Sequence, residues 1–377
     1  MAPRTRSNRV EMLAKQELIA KGMPPNAHGL PGLPNEIYLE ILSHIPAAPV
    51  PTLTMIDEAH RDRHQTLLAL SQTCRSLRRV FLPRLWQRIE VLDDKHEGYG
   101  RAVMYSRVRG YERPNKPDRK FVEDLVSLLE VVTVREPNLA IYVNVVNVTV
   151  LDYSVDTVLP ELARCMTLFP NLHTVQLNLK LKRQRHMFLQ DVFEPYSYPN
   201  VHTACLSESA IPFLYVCPGL RKLHSYLNAA WGASTLGHVL QHKKLEVLGA
   251  VTCHQEAIAY IVKSLLDLRE ITLGRTELRL GYDKIMKLSE LPHLRTIRLA
   301  MNAHAAYKYR WIYPDRAAAA GISHAGATDE EIQQWLGWAK KILDGVRSAD
   351  SSEKQVILIR VDGSEETRSV IWSSSSS

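Results

Sequence analysis

Phe169-Pro170-Asn171-Leu172-His173-Thr174-Val175-Gln176-Leu177 and Leu291-Pro292-His293-Leu294-Arg295-Thr296-Ile297-Arg298-Leu299 are two copies of one pattern. After the proline the residues run apolar, x, x, apolar, x, apolar. The second half of that run alternates with the period of a strand that has one apolar face. Leu268, Ile271 and Leu273 repeat the pattern, and Val201, Ala204 and Leu206 repeat it with one small residue. Leu220 with Leu223, and Leu245 with Leu248, fit in part; Val145, Val148 and Val150 stand as an earlier copy. The starts at 172, 201, 220, 245, 268 and 294 are 19 to 29 residues apart. That spacing holds a strand and a helical return, and helical stretches are visible at Leu159 to Met166, Ala210 to Val216, Thr235 to Gln241, Glu256 to Leu266 and Asp283 to Leu288.

A single strand–helix unit cannot bury its apolar face until its neighbours stack, which is how a leucine-rich-repeat solenoid is built. The expected fold of residues 121–362 is therefore an irregular leucine-rich-repeat-like β/α solenoid. Unrelated β–α units in an α/β sheet are the alternative. Asp329 to Leu343, with Ile332, Trp335, Leu336 and Ala339, reads as a capping helix, and Val356 to Val361 as a last strand. Residues 363–377, ending in a serine run, read as a flexible tail.

Upstream the pattern is purely helical. Residues 1–28 read as a flexible tail, broken by Gly22, Pro24, Pro25 and Gly29. After Leu33-Pro34-Asn35-Glu36, the residues Ile37, Tyr38, Ile41, Leu42 and Ile45 form one helical face, with Pro34 tolerated in the first turn. Asp57 to Gln65 reads as a polar spacer. A second helix carries Leu67, Leu70, Cys74, Leu77 and Phe81, Pro83 ends it, and Arg84-Leu85-Trp86 makes a short third turn. Residues 29–92 are thus a small three-helix unit, and the whole chain is of the α+β class. Residues 93–120 read as a basic loop or linker, and helical spacing resumes at Phe121 to Val132.

Leu33-Pro34-Asn35-Glu36-Ile37, Ile41-Leu42-Ser43-His44-Ile45, Leu70-Ser71-Gln72-Thr73-Cys74-Arg75-Ser76-Leu77 and Leu85-Trp86 together resemble an F-box. The chain is similar to the F-box proteins with degenerate leucine-rich repeats that are expanded in mushroom-forming fungi. The resemblance implies that the helical unit binds a Skp-type adaptor and, through it, a cullin. It also implies that the repeats hold an unknown protein substrate for a ubiquitin ligase. It assigns adaptor contacts to Leu33, Pro34, Ile37, Ile41, Leu42, Leu70, Cys74, Arg75 and Trp86. Two departures stand out: Ala47 to Thr66 is longer than the usual inter-helix turn, and Leu77 sits where Trp often follows the Cys-basic pair.

Composition narrows the function classes. The net charge of +7 is local: residues 61–120 hold fifteen Lys and Arg against seven Asp and Glu, which leaves the remainder close to neutral. Arg75, Arg78, Arg79, Arg84, Arg88, Arg101, Arg107, Arg109, Arg113, Arg119 and Lys120, interleaved with Tyr99, Tyr105 and Tyr111, open an alternative function. It is a non-ligase F-box/repeat scaffold that binds acidic or nucleic-acid partners. A solvated face and a charged loop explain the same residues, so nucleic acid is the weaker reading. A second basic cluster is Lys180, Lys182, Arg183 and Arg185.

No phosphate loop, dinucleotide fingerprint or nucleophile elbow occurs. The pairs His60 with His64 and His238 with His242 lack the Glu of a zinc-protease helix. Five cysteines without C-x-x-C spacing indicate neither zinc nor a disulfide framework. No cofactor, metal or catalytic residue is expected. With neither a signal peptide nor an apolar run of about 20 residues, the expectation is a cytoplasmic or nuclear protein that does not engage a membrane.

In a curved solenoid the polar alternates of each strand point away from the core. That column reads Thr174, Gln176, Asn178; Thr203, Cys205, Ser207; Lys222, His224, Tyr226; Val247, Gly249, Val251; Glu270, Thr272, Gly274; Thr296, Arg298, Ala300. Gln176, His224, Tyr226, Thr272 and Arg298 are its substrate-binding candidates, with Tyr226 and Arg298 the strongest because interface hot spots favour Tyr and Arg.

Overall fold

The computed structural model describes residues 30–47, 50, 58–91, 116–152, 154–181, 186–226, 233–249, 255–274, 282–300, 328–346, 353–359 and 365–369. The chain divides into two compact units, Met1–Ala48 with Ile56–Trp86, and Pro49–Met55 with Gln87–Ser377. The expected tail 1–28 and the stretch 93–115 of the basic loop, with its three tyrosines, lie outside the described residues. So do Lys182, Arg183 and Arg185.

The smaller unit is helical. Its helices are Asn35–Ser43, Glu58–Thr73 and Arg75–Leu85. Tyr38, Leu67, Leu77, Phe81, Leu85 and Trp86 form its core, with Tyr38 edge-on to Phe81 at 5.7 Å. Three expectations change here. The polar spacer is helical from Glu58 onward, and within it Arg63 donates through Nη1 to the Ile45 carbonyl at 2.6 Å. That bond occupies a backbone acceptor near the end of the first helix, where no helical partner remains. The helix expected to run from Leu67 to Phe81 breaks at Cys74, whose backbone is extended (φ −159°, ψ 169°). Pro83 does not end the next helix but lies inside it, two residues before its last.

Among the described residues the larger unit is built on one ten-stranded sheet whose strands follow chain order. They are β1 (Arg88–Val91), β2 (Val145–Leu151), β3 (Thr174–Lys180), β4 (Thr203–Leu206), β5 (Lys222–Ser225), β6 (Val247–Leu248), β7 (Glu270–Gly274), β8 (Thr296–Ala300), β9 (Gln355–Ile359) and β10 (Glu365–Ser369). Each of β1 to β9 runs parallel to its neighbours; β10 turns back antiparallel on β9. Parallel neighbours need a crossover of about a dozen residues or more, which the 19-to-29-residue spacing supplies. Helices lie in the returns at Val155–Met166, His186–Phe193, Ala233–Val239 and Gln255–Ser264. The return at Glu208–Val216 is a 3-10 helix, and that at Tyr282–Ile285 is a single turn.

Register aligns the apolar positions into rows: Ile89, Val146, Val175, Ala204, Leu223, Leu248, Ile271, Ile297 and Val356 occupy one lane across nine strands. All nine are buried, each large side chain contributing roughly 2 kcal/mol relative to exposure. The turns before the strands are linked sideways as well. Asn171 donates through Nδ2 to the Ile141 carbonyl at 2.6 Å, and Asn200 to the Pro170 carbonyl at 3.0 Å. The next turn has Gly219 where these have Asn, and there a Cβ would lie 2.2 Å from the Pro199 carbonyl oxygen.

At the C-terminal end, the helix Asp329–Gly345 opens with a full capping box between Thr328 and Glu331. Lys354 closes it, donating from Nζ to the carbonyls of Leu343 (2.6 Å) and Val346 (3.0 Å). A helix thus spans the residues expected of a capping helix, and β9 lies within two residues of the expected last strand, although β10 follows it. Two boundaries are corrected. The basic linker does not reach residue 120, since a helix spans Lys116–Glu130. The tail expected from 363 is interrupted by β10, which finds five partners on β9.

Candidate docking surfaces

On the first helix of the smaller unit, Tyr38 is turned inward, its hydroxyl donating to the Leu30 carbonyl at 2.8 Å. Ile37 and Leu39 remain 44% and 54% exposed, and Ile41 and Leu42 are half-buried. Leu33 is half-buried and Pro34 exposed just ahead of the helix, with Pro34 in extended geometry (φ −58°, ψ 154°). Packed helices normally hide such residues, and an apolar surface left open marks an interaction site. On the second helix Leu68 is exposed and Leu70 half-buried. Cys74 is half-buried and Arg75 exposed at the helix break. Trp86 departs from the expectation of a surface contact: it is buried, with its ring edge-on to His64 at 6.4 Å, so it holds the helices together.

The polar face of the sheet is not open in the way the alternation predicts. Gln176 is 1% exposed, Thr272 3% and His224 8%; Asn147, Thr149, Asn178 and Cys205 are buried beside them. Asn178 donates to the Thr149 hydroxyl at 3.3 Å, whereas Asn147 Nδ2 has no hydrogen-bond partner. Toward β8 and β9 the same face turns apolar, with Ala300, Ile357 and Ile359 clustered. Strand alternation tells which side a residue faces and nothing about whether that side is covered, which is why this expectation fails. Tyr226 is half-buried.

Arg298 is not a free anchor either. Its Nε donates to Glu270 at 2.6 Å and its Nη1 to Glu365 at 2.7 Å. The guanidinium therefore bridges β7 and β10 from its place on β8. No feature of the repeat pattern signals Glu365, which lies far along the chain.

Burial, reinforced by the charges of Arg298 and Lys222, pushes the His224 imidazole down to about 3. The native state thus holds it neutral, while the unfolded chain protonates it below its ordinary value of 6.5. The unfolded state binds the extra proton between pH 6.5 and about 3, so stability falls as pH drops through that window. Burial also lowers His173, His202 and His242 and acts in the same direction. His224→Asn is expected to flatten the acid limb of a stability-versus-pH curve from urea titrations, by on the order of a few kcal/mol at pH 4. A slope unchanged from the parent would show that His224 is not held neutral.

Among the described residues no three His, Cys, Asp or Glu side chains group as a metal site. Cys74, Cys165, Cys205 and Cys217 form no disulfide among the described residues, and burial raises the Cys217 thiol well above its ordinary value. Of the spaced histidine pairs, His238 instead hydrogen-bonds the Tyr215 hydroxyl. Among the described residues no helix is long and apolar enough to cross a membrane.

Residues 30–91 match the family described as F-box-like. That stretch contains the helical unit with its open apolar side chains and runs into β1. No curated protein matches the chain. F-box domains typically bind Skp-type adaptors, and the match points to a role in protein interaction of that kind.

Proposed function

We propose that the protein is a substrate-receptor subunit of a Skp–cullin–F-box ubiquitin ligase, acting in the cytoplasm or nucleus. Its helical unit binds the adaptor, and the larger unit, read as degenerate leucine-rich repeats, holds a protein substrate. The reading of the larger unit is supported by the chain-ordered parallel sheet and its aligned apolar lane. Catalysis belongs to the partners; the chain raises the effective concentration of substrate beside the conjugating enzyme.

The observation that carries this reading is the pair Ile37 and Leu39, apolar and open to solvent, within a segment that matches the F-box-like family. An amphipathic partner helix could cover such a surface. The test is pull-down by a Skp-type adaptor of the parent, of the double variant Leu33→Ala with Pro34→Ala, and of Ile37→Glu. Both variants are expected to lose about tenfold or more of the bound adaptor, with far-ultraviolet circular dichroism unchanged. Ile37→Glu adds a charge at an already exposed site, so its fold is retained even if Leu33→Ala loosens the unit. Retained adaptor binding by both variants would remove the reading and leave a non-ligase scaffold in its place.

A further inference from the structure

Ahead of each strand from β3 to β8, one residue bonds sideways to its counterpart in the previous turn. The amide of His173 meets the Asn144 carbonyl, His202 meets His173, Arg221 meets His202, Glu246 meets Arg221, Arg269 meets Glu246 and Arg295 meets Arg269, all at 2.7 to 3.1 Å. These residues therefore form one continuous row along the N-terminal rim of the sheet, one per strand, at a spacing of about 4.8 Å. His202, Arg221 and Arg269 are exposed; His173, Glu246 and Arg295 are half-buried. Lys222, Lys243 and Lys244 stand exposed beside the row.

The two imidazoles do not make a metal site. Their rings are stacked 5.1 Å apart and 2° from parallel, and each Nδ1 is held by the next residue's hydroxyl, Thr174 at 2.8 Å and Thr203 at 3.1 Å. Among the described residues no further metal-ligating side chain joins them to complete a site. Cationic character begins at Arg221 and continues to Arg295. Against it stand Glu246, which bridges Arg221 at 3.3 Å, and the exposed Asp267. Lys222, Lys243, Lys244 and Arg269 make no ion pair among the described residues.

We propose that this rim docks an extended, carboxylate-rich segment of a partner protein. Naming that partner as the substrate rests on the receptor reading above; the rim's charge does not. Side chains on one face of an extended peptide recur at about 6.6 to 6.8 Å, a spacing that flexible Arg and Lys side chains on neighbouring strands can follow. Nucleic acid fits less well. The row carries no Phe, Tyr or Trp on which bases could stack.

The experiment measures fluorescence anisotropy of a labelled peptide of about ten glutamates against the full chain, with an oligothymidylate of equal charge in parallel. The rim variant is Lys222→Glu with Arg269→Glu. The control is Arg79→Glu with Arg84→Glu, an equal charge change at exposed positions of the helical unit. The rim variant is expected to bind the peptide about tenfold more weakly or worse, the control within about twofold of the parent. Lys222→Gln with Arg269→Gln gives an intermediate loss and guards against an effect of misfolding. Equal weakening by rim and control, or none by the rim pair, overturns the proposal. Oligothymidylate binding that is tighter than the peptide and equally rim-sensitive assigns the rim to nucleic acid instead. Adaptor pull-down on the rim variant is expected to match the parent. If the parent itself fails to bind adaptor, the ligase reading falls while the rim result stands.

Discussion

Gly219→Ala unfolds the larger unit under conditions the parent withstands, with an expected loss of about 3 kcal/mol or more in urea titration. The alanine methyl would lie 2.2 Å from the Pro199 carbonyl oxygen and 3.4 Å from its carbon. A flexible side chain could swing away from such an overlap, but a backbone carbonyl can do so only by moving its turn. Gly219 stands where Asn171 and Asn200 bridge their turns through a side-chain amide; here the turns approach so closely that no side chain fits between them. Two glycines serve as controls. Gly237 and Gly337 sit in helices with nothing within 4 Å of an added Cβ. Alanine there is expected to stabilise by up to about 1 kcal/mol through helix propensity. If Gly219→Ala behaves like those two, the close approach of the turns is wrong.

Arg298→Met is the second large effect. It leaves Glu270 and Glu365 facing each other without a cation, on side chains only 22% and 40% exposed. Breaking a fully buried pair costs roughly 3 to 5 kcal/mol; allowing for this partial exposure, the expected loss is about 2 kcal/mol. The loss should be partly recovered when Glu270→Gln and Glu365→Gln are added, because removing every partner also removes the stranded charge. Hydrogen exchange gives a second readout, with the amides of β10 losing protection first. A triple variant no more stable than Arg298→Met would mean that the arginine acts through packing alone.

The larger unit was legible in the sequence wherever one residue decides one lane. Val175, Leu177, Ile271, Leu273, Ile297 and Leu299 alternate so regularly that their strands lie where the pattern places them. Helix existence was equally legible, as at Asp329–Gly345 with its Thr328 cap. The return helix His186–Phe193 escaped because its His, Gln and Asp dilute a short apolar pattern. Strands β1 and β10 escaped because Arg88-Ile89-Glu90-Val91 and Glu365-Glu366-Thr367-Arg368-Ser369 are too short or too polar to announce themselves.

The candidate sites divide along the same line. The apolar positions of the first helix were legible as a group, but which of them stay open depends on how Tyr38 packs on Phe81. Gln176, His224 and Thr272 lie on the side the alternation gives them, but their burial is a property of the assembled fold. Arg298 is spoken for by residues 28 and 67 positions away along the chain, a distance at which periodicity carries no information. The rim row was invisible for another reason: its members are the variable x positions of the pattern, and only the backbone ladder brings them into line.

The order of the strands also bears on how the protein is made. Each of β2 to β10 pairs with the strand translated just before it, so a lane has its template ready when it leaves the ribosome. Such growth keeps loop-closure costs small from β2 to β8, where the connections are short. The bridge from Arg298 behaves differently: Glu270 is already present when Arg298 emerges, but Glu365 follows only after the capping helix and β9 have been synthesised. A nascent chain stalled before that point carries its arginine on one carboxylate, and the second ion pair marks the arrival of the final strand.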